Sequence, residues 1–379
     1  MTDKRNYIIL WVLTGIIIIL GIGGLMVFSY FYNNQCYEKY QVVTEVERSD
    51  SNNGLYQYFQ KNLLKYSGSG ISLINSVGKT LWNGGFEMKQ AQVDTCGKQV
   101  LAVDVGGTEF NVYNGQDEGI RTETTYPIVR GKVSEQGVAA ILEQDIDSNS
   151  LKLYNPYSNT TKLIAEIPTN VSEDGYPLDY DISPDGKTVV AAYMTVKGTE
   201  SEYHVNFFNF SDVGQDRNIL VGGREYGAEM VSQIRFLDNE RVVIYREKGF
   251  DIYENMKQPK PSLEKTFDRV ILSIADSDEY IGVITTDGAR TDKRLQVFTV
   301  EGEVVLEQPI DYEYADFRIY GEEIYFYRTH HVDILRMNGT PKFRSDFDAD
   351  ITGVFPGGRS IEYIIVDNTS IRRIRMKAR

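Results

Sequence analysis

The sequence predicts an all-β protein, an eight-bladed β-propeller preceded by one N-terminal transmembrane helix. An uncharged apolar segment lies near the N-terminus, and the chain is rich in strand-forming aromatics, with 26 Tyr and 17 Phe. Turn signals recur about every 42 residues, a spacing typical of propeller blades. The predicted parts are a cytoplasmic tail (1–6), the transmembrane helix (7–32), a juxtamembrane stretch with a candidate closing strand (33–53) and an extracytoplasmic propeller (54–379).

The composition excludes several classes of function. Of the 379 residues, 41% are hydrophobic and 25% are charged, so the chain can bury a large core and is not a disordered protein. A net charge of -14 argues against a nucleic-acid partner, because binding to phosphates needs clustered Lys and Arg. With 3 His and 2 Cys, the sequence gives no basis for a His- or Cys-based metal centre or a disulfide framework.

The segment 7–32 has the properties of a membrane span. It has no charged residue, and as a helix its roughly 25 residues would extend about 38 Å, enough to cross a hydrocarbon core of about 30 Å. A cleaved signal peptide is the alternative, but its apolar region should be about 7 to 15 residues long and end in small residues. Here Gly24 is followed by the apolar residues 25–28. We therefore expect a retained span.

The charges that flank this segment predict its orientation. Lys4 and Arg5 precede it, whereas residues 33–37 contain no basic residue. Because basic residues stay on the cytoplasmic side, we expect the N-terminus in the cytoplasm and the chain beyond residue 32 outside. The predicted location is the cell membrane, with a single pass.

Beyond residue 53, short apolar strands alternate with two series of turns that keep step with each other. The first series precedes a buried strand and lies at 61–62, 95–97, 135–137, 184–186, 238–239, 277–278, 320–321 and 357–358. The second series lies at 77–79, 116–118, 157–159, 211–212, 255–256, 301–302 and 338–339. Two series in phase predict four-stranded units repeated around a ring.

The first series counts eight units. The last unit has strands near 351–355, 361–366 and 371–376, and no residues remain for a fourth. Residues 41–46 could supply it and close the ring, which would remove the exposed sheet edges. Seven blades with an extra N-terminal hairpin is the alternative.

One unit resembles the repeats of quinoprotein-type and WD40-like propellers. In residues 71–82 a turn formed by Gly78 and Lys79 precedes Trp82, which in such repeats packs between blades. The wider pattern resembles an uncharacterised family of membrane-anchored β-propeller proteins from Gram-positive anaerobes. Its marks here are residues 55–59, 175–186 and 207–210. The resemblance implies the fold and the membrane placement, and it implies no activity.

No catalytic, cofactor or metal site is predicted. Residues 101–108 look like the first phosphate loop of sugar kinases, but that fold needs alternating strands and helices, so we expect a Gly-Gly hairpin within one blade. Cys36 and Cys96 are expected to stay unpaired. Two acidic groups, for which a solvated loop and a weak calcium site both stay open, are Asp145 with Asp147 and Asp346 with Asp348 and Asp350.

The leading hypothesis is a membrane-anchored, non-catalytic propeller that binds a protein partner at the cell surface. Inter-strand loops on a propeller face are common binding sites, and the longest candidates are 195–203 and 258–262. Binding of a cell-surface glycan or a small molecule is the alternative, with a quinone-dependent dehydrogenase as a third hypothesis. The candidate binding residues, beside predicted inter-blade connections, are Tyr126, Tyr176, Tyr180 and Tyr226.

Overall fold

The computed structural model describes residues 14–16, 18–24, 26, 34–48, 53–115, 119–146, 148–215, 219–288 and 291–377. In this part of the chain, 32 strands form eight antiparallel sheets of four strands each. Each sheet is one blade of a propeller, and in seven of these eight sheets the four strands are consecutive in the described chain. The prediction of an all-β, eight-bladed propeller is confirmed, and the seven-blade alternative is wrong.

Blades 1 to 4 contain β2 to β17. Blade 1 consists of β2 (Leu55–Phe59), β3 (Asn62–Ser67), β4 (Gly70–Ile74) and β5 (Thr80–Gly85), and blade 2 of β6 (Ala91–Cys96), β7 (Gln99–Asp104), β8 (Glu109–Tyr113) and β9 (Ile120–Glu123). Blade 3 consists of β10 (Ile128–Val133), β11 (Ala139–Gln144), β12 (Ser148–Tyr154) and β13 (Leu163–Asn170). Blade 4 consists of β14 (Tyr176–Ile182), β15 (Thr188–Lys197), β16 (Glu200–Asn209) and β17 (Leu220–Gly227), with a short helix, Asp212–Gln215, before the last strand.

Blades 5 to 8 contain the remaining strands. Blade 5 consists of β18 (Val231–Phe236), β19 (Arg241–Arg246), β20 (Gly249–Glu254) and β21 (Lys260–Thr266), and blade 6 of β22 (Val270–Asp276), β23 (Tyr280–Thr286), β24 (Lys293–Thr299) and β25 (Val304–Ile310). Blade 7 consists of β26 (Asp316–Tyr320), β27 (Glu323–Arg328), β28 (His331–Arg336) and β29 (Pro341–Asp346). Blade 8 consists of β30 (Ile351–Pro356), β31 (Glu362–Asp367), β32 (Ser370–Lys377) and β1 (Lys39–Glu47).

The hydrophobic core lies between neighbouring blades. The second strand of a blade is apolar along its length because blades cover both its faces: residues 189–193 of β15 are at most 2% exposed. Between blades 3 and 4, Leu142 and Leu153 pack against Tyr180 and Val189. Each blade therefore buries its faces against the next, and contacts between neighbouring blades stabilise the ring.

The first strand of the chain closes the ring. β1 pairs with β32 from Lys39 opposite Lys377 to Glu47 opposite Ser370. Upstream of it, the backbone of Tyr37 bridges Phe343 of blade 7. The prediction that residues 41–46 complete the last blade is confirmed.

The two faces of the ring carry different connections. Because successive strands are antiparallel, the turns from first to second and from third to fourth strands lie on one face, and the inter-blade connections lie on the other with the turns from second to third strands. The chain enters β1 beside the end of β32, on the face of the first kind. We call this the entry face and the opposite one the far face.

The N-terminal segment is described only in part. Residues 14–16, 18–24 and 26 are helical. Among the described residues, no helix is long and apolar enough to cross a membrane. The other residues of the predicted span, 7–13, 17, 25 and 27–32, lie outside the described part, and the transmembrane helix stays a prediction.

Candidate functional site

A groove of about 850 Å³ crosses the far face over blade 3. Its lining comprises Tyr126, Tyr176 and residues 143–146, 148–150, 166 and 168–172. Two of the four tyrosines predicted from the sequence thus lie in one groove. Ile146, at the tip of the turn between β11 and β12, is 92% exposed. Single exposed apolar side chains are common on folded proteins, but this one lies in the lining of a groove, where a bound partner would contact it.

The neighbouring blade 4 carries a long hairpin on the same face as the groove. β15 and β16 have ten residues each, and they stay paired to the turn, where Lys197 lies opposite Glu200. The prediction of a long loop at 195–203 was therefore wrong, because both arms continue as strands. Gly175 has a φ of +90°, and a Cβ there would lie 2.7 Å from the carbonyl oxygen of Met194. Glycine thus lets the chain pass close to the hairpin and places Tyr176 beside it.

The floor of the groove contains a buried charge pair. The side chain of Glu143 is fully buried and accepts hydrogen bonds from Lys152 Nζ at 3.0 Å and from the Tyr154 hydroxyl at 2.6 Å. The backbone N–H of Tyr126 donates to Glu143 Oε2 at 3.2 Å, and the Lys152 ammonium lies 5.6 Å from the centre of the Tyr126 ring. Burial, and then Glu143, raise the pKa of Tyr154 above its usual value, which keeps its hydroxyl protonated as the donor. The contacts with Glu143 and Lys152 hold Tyr126 in its position.

Asn149 of β12 is the unsatisfied polar group of the groove. Its side chain is 2% exposed, and neither its amide nitrogen nor its amide oxygen has a hydrogen-bond partner among the described residues. A buried polar group without a partner costs about 1–3 kcal/mol. A ligand that forms hydrogen bonds with the Asn149 amide would remove this cost.

The groove has more acidic than basic groups. Its described lining contains Glu143, Asp145 and Glu166 and no Lys or Arg. Lys152, in the floor, pairs with Glu143 at 3.0 Å and lies 3.9 Å from Glu166, which also accepts a hydrogen bond from Ser150 at 2.6 Å. One ammonium against three carboxylates leaves a net negative charge. The groove therefore favours a ligand that has a cationic group beside an apolar one.

The family model DUF5711, a family of unknown function, matches residues 33–376. This chain belongs to the DUF5711 family. The match includes all eight blades and begins just after the predicted membrane span.

Comparison with solved structures shows the same fold in distant proteins. BamB from Moraxella catarrhalis is similar with a TM-score of 0.55 at 10% identity, over 89% of this chain and 100% of that chain. Sqt1 from Chaetomium thermophilum, bound to the N-terminus of the ribosomal protein L10, is similar with a TM-score of 0.51 at 10% identity, over 91% of this chain and 99% of that chain. No curated protein matches significantly. At such identities the likeness shows the fold alone.

The other two predicted tyrosines of the DUF5711 propeller do not line the groove. Tyr180 is 1% exposed, and its hydroxyl lies 2.8 Å from the carbonyl oxygen of Arg130 and 2.9 Å from that of Ala140. The Tyr226 hydroxyl donates to Asp251 Oδ2 at 2.8 Å. Both side chains are used in packing and in internal hydrogen bonds. The structure thus places Tyr180 in the core and Tyr226 apart from the groove.

Two polar cavities of about 340 and 810 Å³ lie along the central channel. Lys132 lies 3.5 Å from Asp94 and 3.8 Å from Asp181. Asp94 Oδ2 also accepts the backbone N–H of Val133 at 2.8 Å, and Asp181 Oδ2 accepts that of Phe236 at 2.7 Å. Each of these carboxylates joins its own blade to the next one. Asp94 and Asp181 therefore hold the inner strands of neighbouring blades together. The sequence patterns did not reveal these contacts.

The environment of Asp181 makes stability depend on pH. Burial raises the pKa of Asp181 to about 6, although Lys132 opposes the rise. The stabilising contribution of such a group is complete below its unfolded pKa of about 4 and is lost as the pH rises through 6. We therefore expect Asp181→Asn to gain about 2 kcal/mol relative to the unmodified protein between pH 4 and pH 7.5, measured by urea unfolding.

A matched control for this measurement is Glu240→Gln, which removes an exposed carboxylate. It should show a constant difference from the unmodified protein over the same pH range. A constant difference for Asp181→Asn as well would contradict the raised pKa of the Asp181 carboxyl group.

The remaining motifs have structural partners. His331 Nδ1 contacts Asp346 at 2.6 Å, His330 Nε2 contacts Asp350 at 3.4 Å, and Arg372 holds Asp348 at 3.0 Å. These three carboxylates thus contact three different side chains. No group of three or more His, Cys, Asp or Glu that could hold a metal ion occurs within the described ranges. Of the other acidic pair, Asp145 Oδ1 accepts the N–H of Ile146, and Asp147 lies outside the described residues.

Residues 101–108, which resemble a phosphate loop, form a hairpin turn as predicted, and Trp82 packs between blades as predicted. Gly106 and Gly107 lie in the turn between β7 and β8, where the N–H of Gly107 donates to the carbonyl of Asp104 at 2.9 Å. The Trp82 ring stacks on Tyr113 of the next blade at 5.6 Å. The described cysteines, Cys36 and Cys96, are both free. The contacts of Gly107 and Trp82 are those of a turn and of packing between blades.

Proposed function

We propose that this DUF5711 protein is a membrane-anchored extracytoplasmic scaffold that binds a segment of another protein in the groove over blade 3. The observation that carries the proposal is the pairing of Ile146, 92% exposed, with the unsatisfied buried amide of Asn149 along one groove. An extended peptide offers backbone donors and acceptors for the amide and side chains for the apolar contact. The acidic lining favours a segment with Lys or Arg.

The direction of the chain supports the anchored arrangement. Residues 34–38 lead into β1 on the entry face, where Gln35 accepts a hydrogen bond from Arg336 at 2.8 Å. The groove opens on the far face. A membrane helix within residues 7–32 would therefore turn the groove away from the bilayer and toward proteins outside the cell.

The solved relatives of the fold support a protein ligand. Sqt1 is bound to the N-terminus of a ribosomal protein in its crystal structure. This observation concerns Sqt1. It supports the proposal because it shows that a protein of similar fold can bind the terminus of another protein.

The test uses an exposed side chain whose replacement leaves the fold intact. Ile146→Asp is expected to lower recovery of the partner at least tenfold, because it removes an apolar contact of the interface and adds a fourth acid to the groove. Stability should change by less than about 0.5 kcal/mol. Partner recovery by affinity purification of the full chain, followed by calorimetry with the purified partner, measures the effect.

The matched control is Val304→Asp, since Val304 is 54% exposed on the entry face. It should bind the partner as the unmodified chain does. If both variants lost partner binding equally, or if neither variant lost it, the binding site would lie outside the groove.

A glycan ligand is the second candidate, because two tyrosine rings flank the buried amide and the carboxylates of the groove. Aromatic rings stacked on sugar faces with nearby hydrogen-bonding groups form the usual sugar site. In the same experiment, tight binding of soluble cell-wall glycan fragments, weakened by Tyr126→Ala, with no protein partner recovered, would favour this candidate.

A further inference from the structure

The entry face is divided into sectors of opposite charge. Adjacent blades 8, 1 and 2 present six exposed basic residues there, at strand ends and turns. This basic sector comprises Lys39, Lys61, Lys79, Lys98, Arg359 and Lys377. Blades 5 to 7 present more exposed acids than bases on the same face: Glu240, Glu279, Glu301, Glu303 and Glu322 against Lys257 and Lys260 of blade 5. In a chain with a net charge of -14, such a separation has to be explained.

The lysines of the basic sector are not neutralised by the fold. Across the described residues, none of its five lysines is within ion-pair distance of a carboxylate. Arg359 lies 3.7 Å from Glu362, but Arg373 at 3.7 Å and Arg375 at 2.7 Å share this one buried carboxylate. Three arginines against one acid leave an excess of positive charge next to the lysines.

Two lysines are even placed against each other. Lys39 lies directly opposite Lys377 where β1 meets β32. Like charges directly opposite on paired strands are destabilising. Folding therefore does not explain this pair, whereas an external anion would relieve the repulsion.

The basic sector is also the place where the chain enters the propeller. Lys39 begins β1, and residues 34–38 before it lie along blade 7. The uncharged apolar segment 7–32 ends two residues before this stretch. The boundary between blade 7 and the basic sector is thus the part of the propeller held nearest to any bilayer in which that segment resides.

We propose that the basic sector docks on the anionic headgroups of the membrane that holds the N-terminal helix. This inference rests on the proposed anchoring and goes beyond it, because an anchor alone would leave the propeller free to rotate. Each basic residue at an anionic surface strengthens the association about fivefold, and the effect decays within about 10 Å at moderate salt. The acidic sector is repelled by the same surface. The ring therefore tilts, with blades 8, 1 and 2 down and blades 5 to 7 lifted.

The test measures lysine reactivity in the full chain. The protein is inserted into lipid nanodiscs of phosphatidylcholine alone, or with about a third of phosphatidylglycerol, and acetylated with a water-soluble ester. Mass spectrometry then gives a rate for each lysine. An ammonium held against a phosphate is shielded and less readily deprotonated, so Lys39, Lys61, Lys79, Lys98 and Lys377 should react at least threefold more slowly in the anionic discs.

Two internal controls and one variant accompany this measurement. Lys248 on the far face and Lys257 on the entry face of blade 5 are both exposed and should react equally in both discs. Salt of about 1 M, where the Debye length is about 3 Å, should remove the protection. The triple variant Lys61→Glu, Lys79→Glu, Lys98→Glu should also lose it at Lys39.

The outcomes separate the two proposals. Equal rates in both lipids, with the chain inserted and the effect of Ile146→Asp on partner binding intact, would overturn the docking and leave the proposed function. A chain that does not insert would overturn the anchoring and the docking together. Equal protection by soluble polyphosphate without anionic lipid would overturn docking on lipid in favour of an anionic polymer as the partner.

Discussion

Deletion of residues 34–48 is expected to lower the midpoint of thermal unfolding by 10 °C or more. The deletion removes β1, which forms the outer edge of blade 8, and with it the pairing along β32 and the packing of Tyr40 on Phe347. A loss of about 5 kcal/mol corresponds to a shift of about 10 °C for a domain of this size. Scanning calorimetry measures it.

The control is a chain that starts at residue 34 and therefore keeps β1. It should unfold at the temperature of the full chain. The deleted chain should also self-associate, because β32 becomes an exposed strand edge, and a synthetic peptide of residues 37–48 should restore part of the lost stability. An unchanged midpoint after the deletion would show that blade 8 is stable with three strands.

Glu143→Ala is expected to cost about 3–5 kcal/mol of folding free energy. The side chain of Glu143 is fully buried and that of Lys152 is 9% exposed, so removal of the carboxylate leaves a nearly buried ammonium with only the more distant Glu166, at 3.9 Å. The Tyr154 hydroxyl loses its acceptor at the same time. Denaturant unfolding of the variant and the unmodified chain gives the difference.

A double-mutant cycle distinguishes the pair from simple loss of volume. Lys152→Met alone should be similarly costly, because it leaves Glu143 unpaired. The double variant Glu143→Leu, Lys152→Met should recover most of the loss, since an apolar pair of similar volume can replace a buried ion pair. If the double variant lost as much stability as the sum of the two single variants, the two charges would not stabilise each other.

The blade architecture was predictable because it is encoded locally. Turn residues such as Gly97 and Gly186 adopt positive φ angles of +57° and +72°, which glycine permits at little cost. Their period along the chain gave the number of blades. The closing strand followed from counting, since the last blade had residues for three strands and one unpaired apolar stretch remained at the other end.

The groove was predictable only in part, because it depends on distances between blades. Tyr126 and Tyr176 were found through their position at inter-blade connections, but nothing local indicates that one groove joins them. Tyr180 shares the strand face of Ile182 and therefore points into the core, which the alternation along β14 already indicates. Glu143 could have been noticed as an acid in the otherwise apolar strand β11. Its partner Lys152 comes from another strand, and single-sequence patterns do not reveal such pairs.

The closing strand also sets the order of events during biosynthesis. β1 leaves the ribosome before any other strand of the propeller, and its partner β32 leaves last. Seven blades can form as the chain emerges, while the eighth must wait for β30 to β32 and for closure of the longest loop among the paired strands. A chain in which β32 is absent or unfolded keeps β1 unpaired and exposes its strand edge. The pairing of β1 with β32 therefore acts as an inspection point for the ring, because incomplete copies differ from finished ones by a free edge.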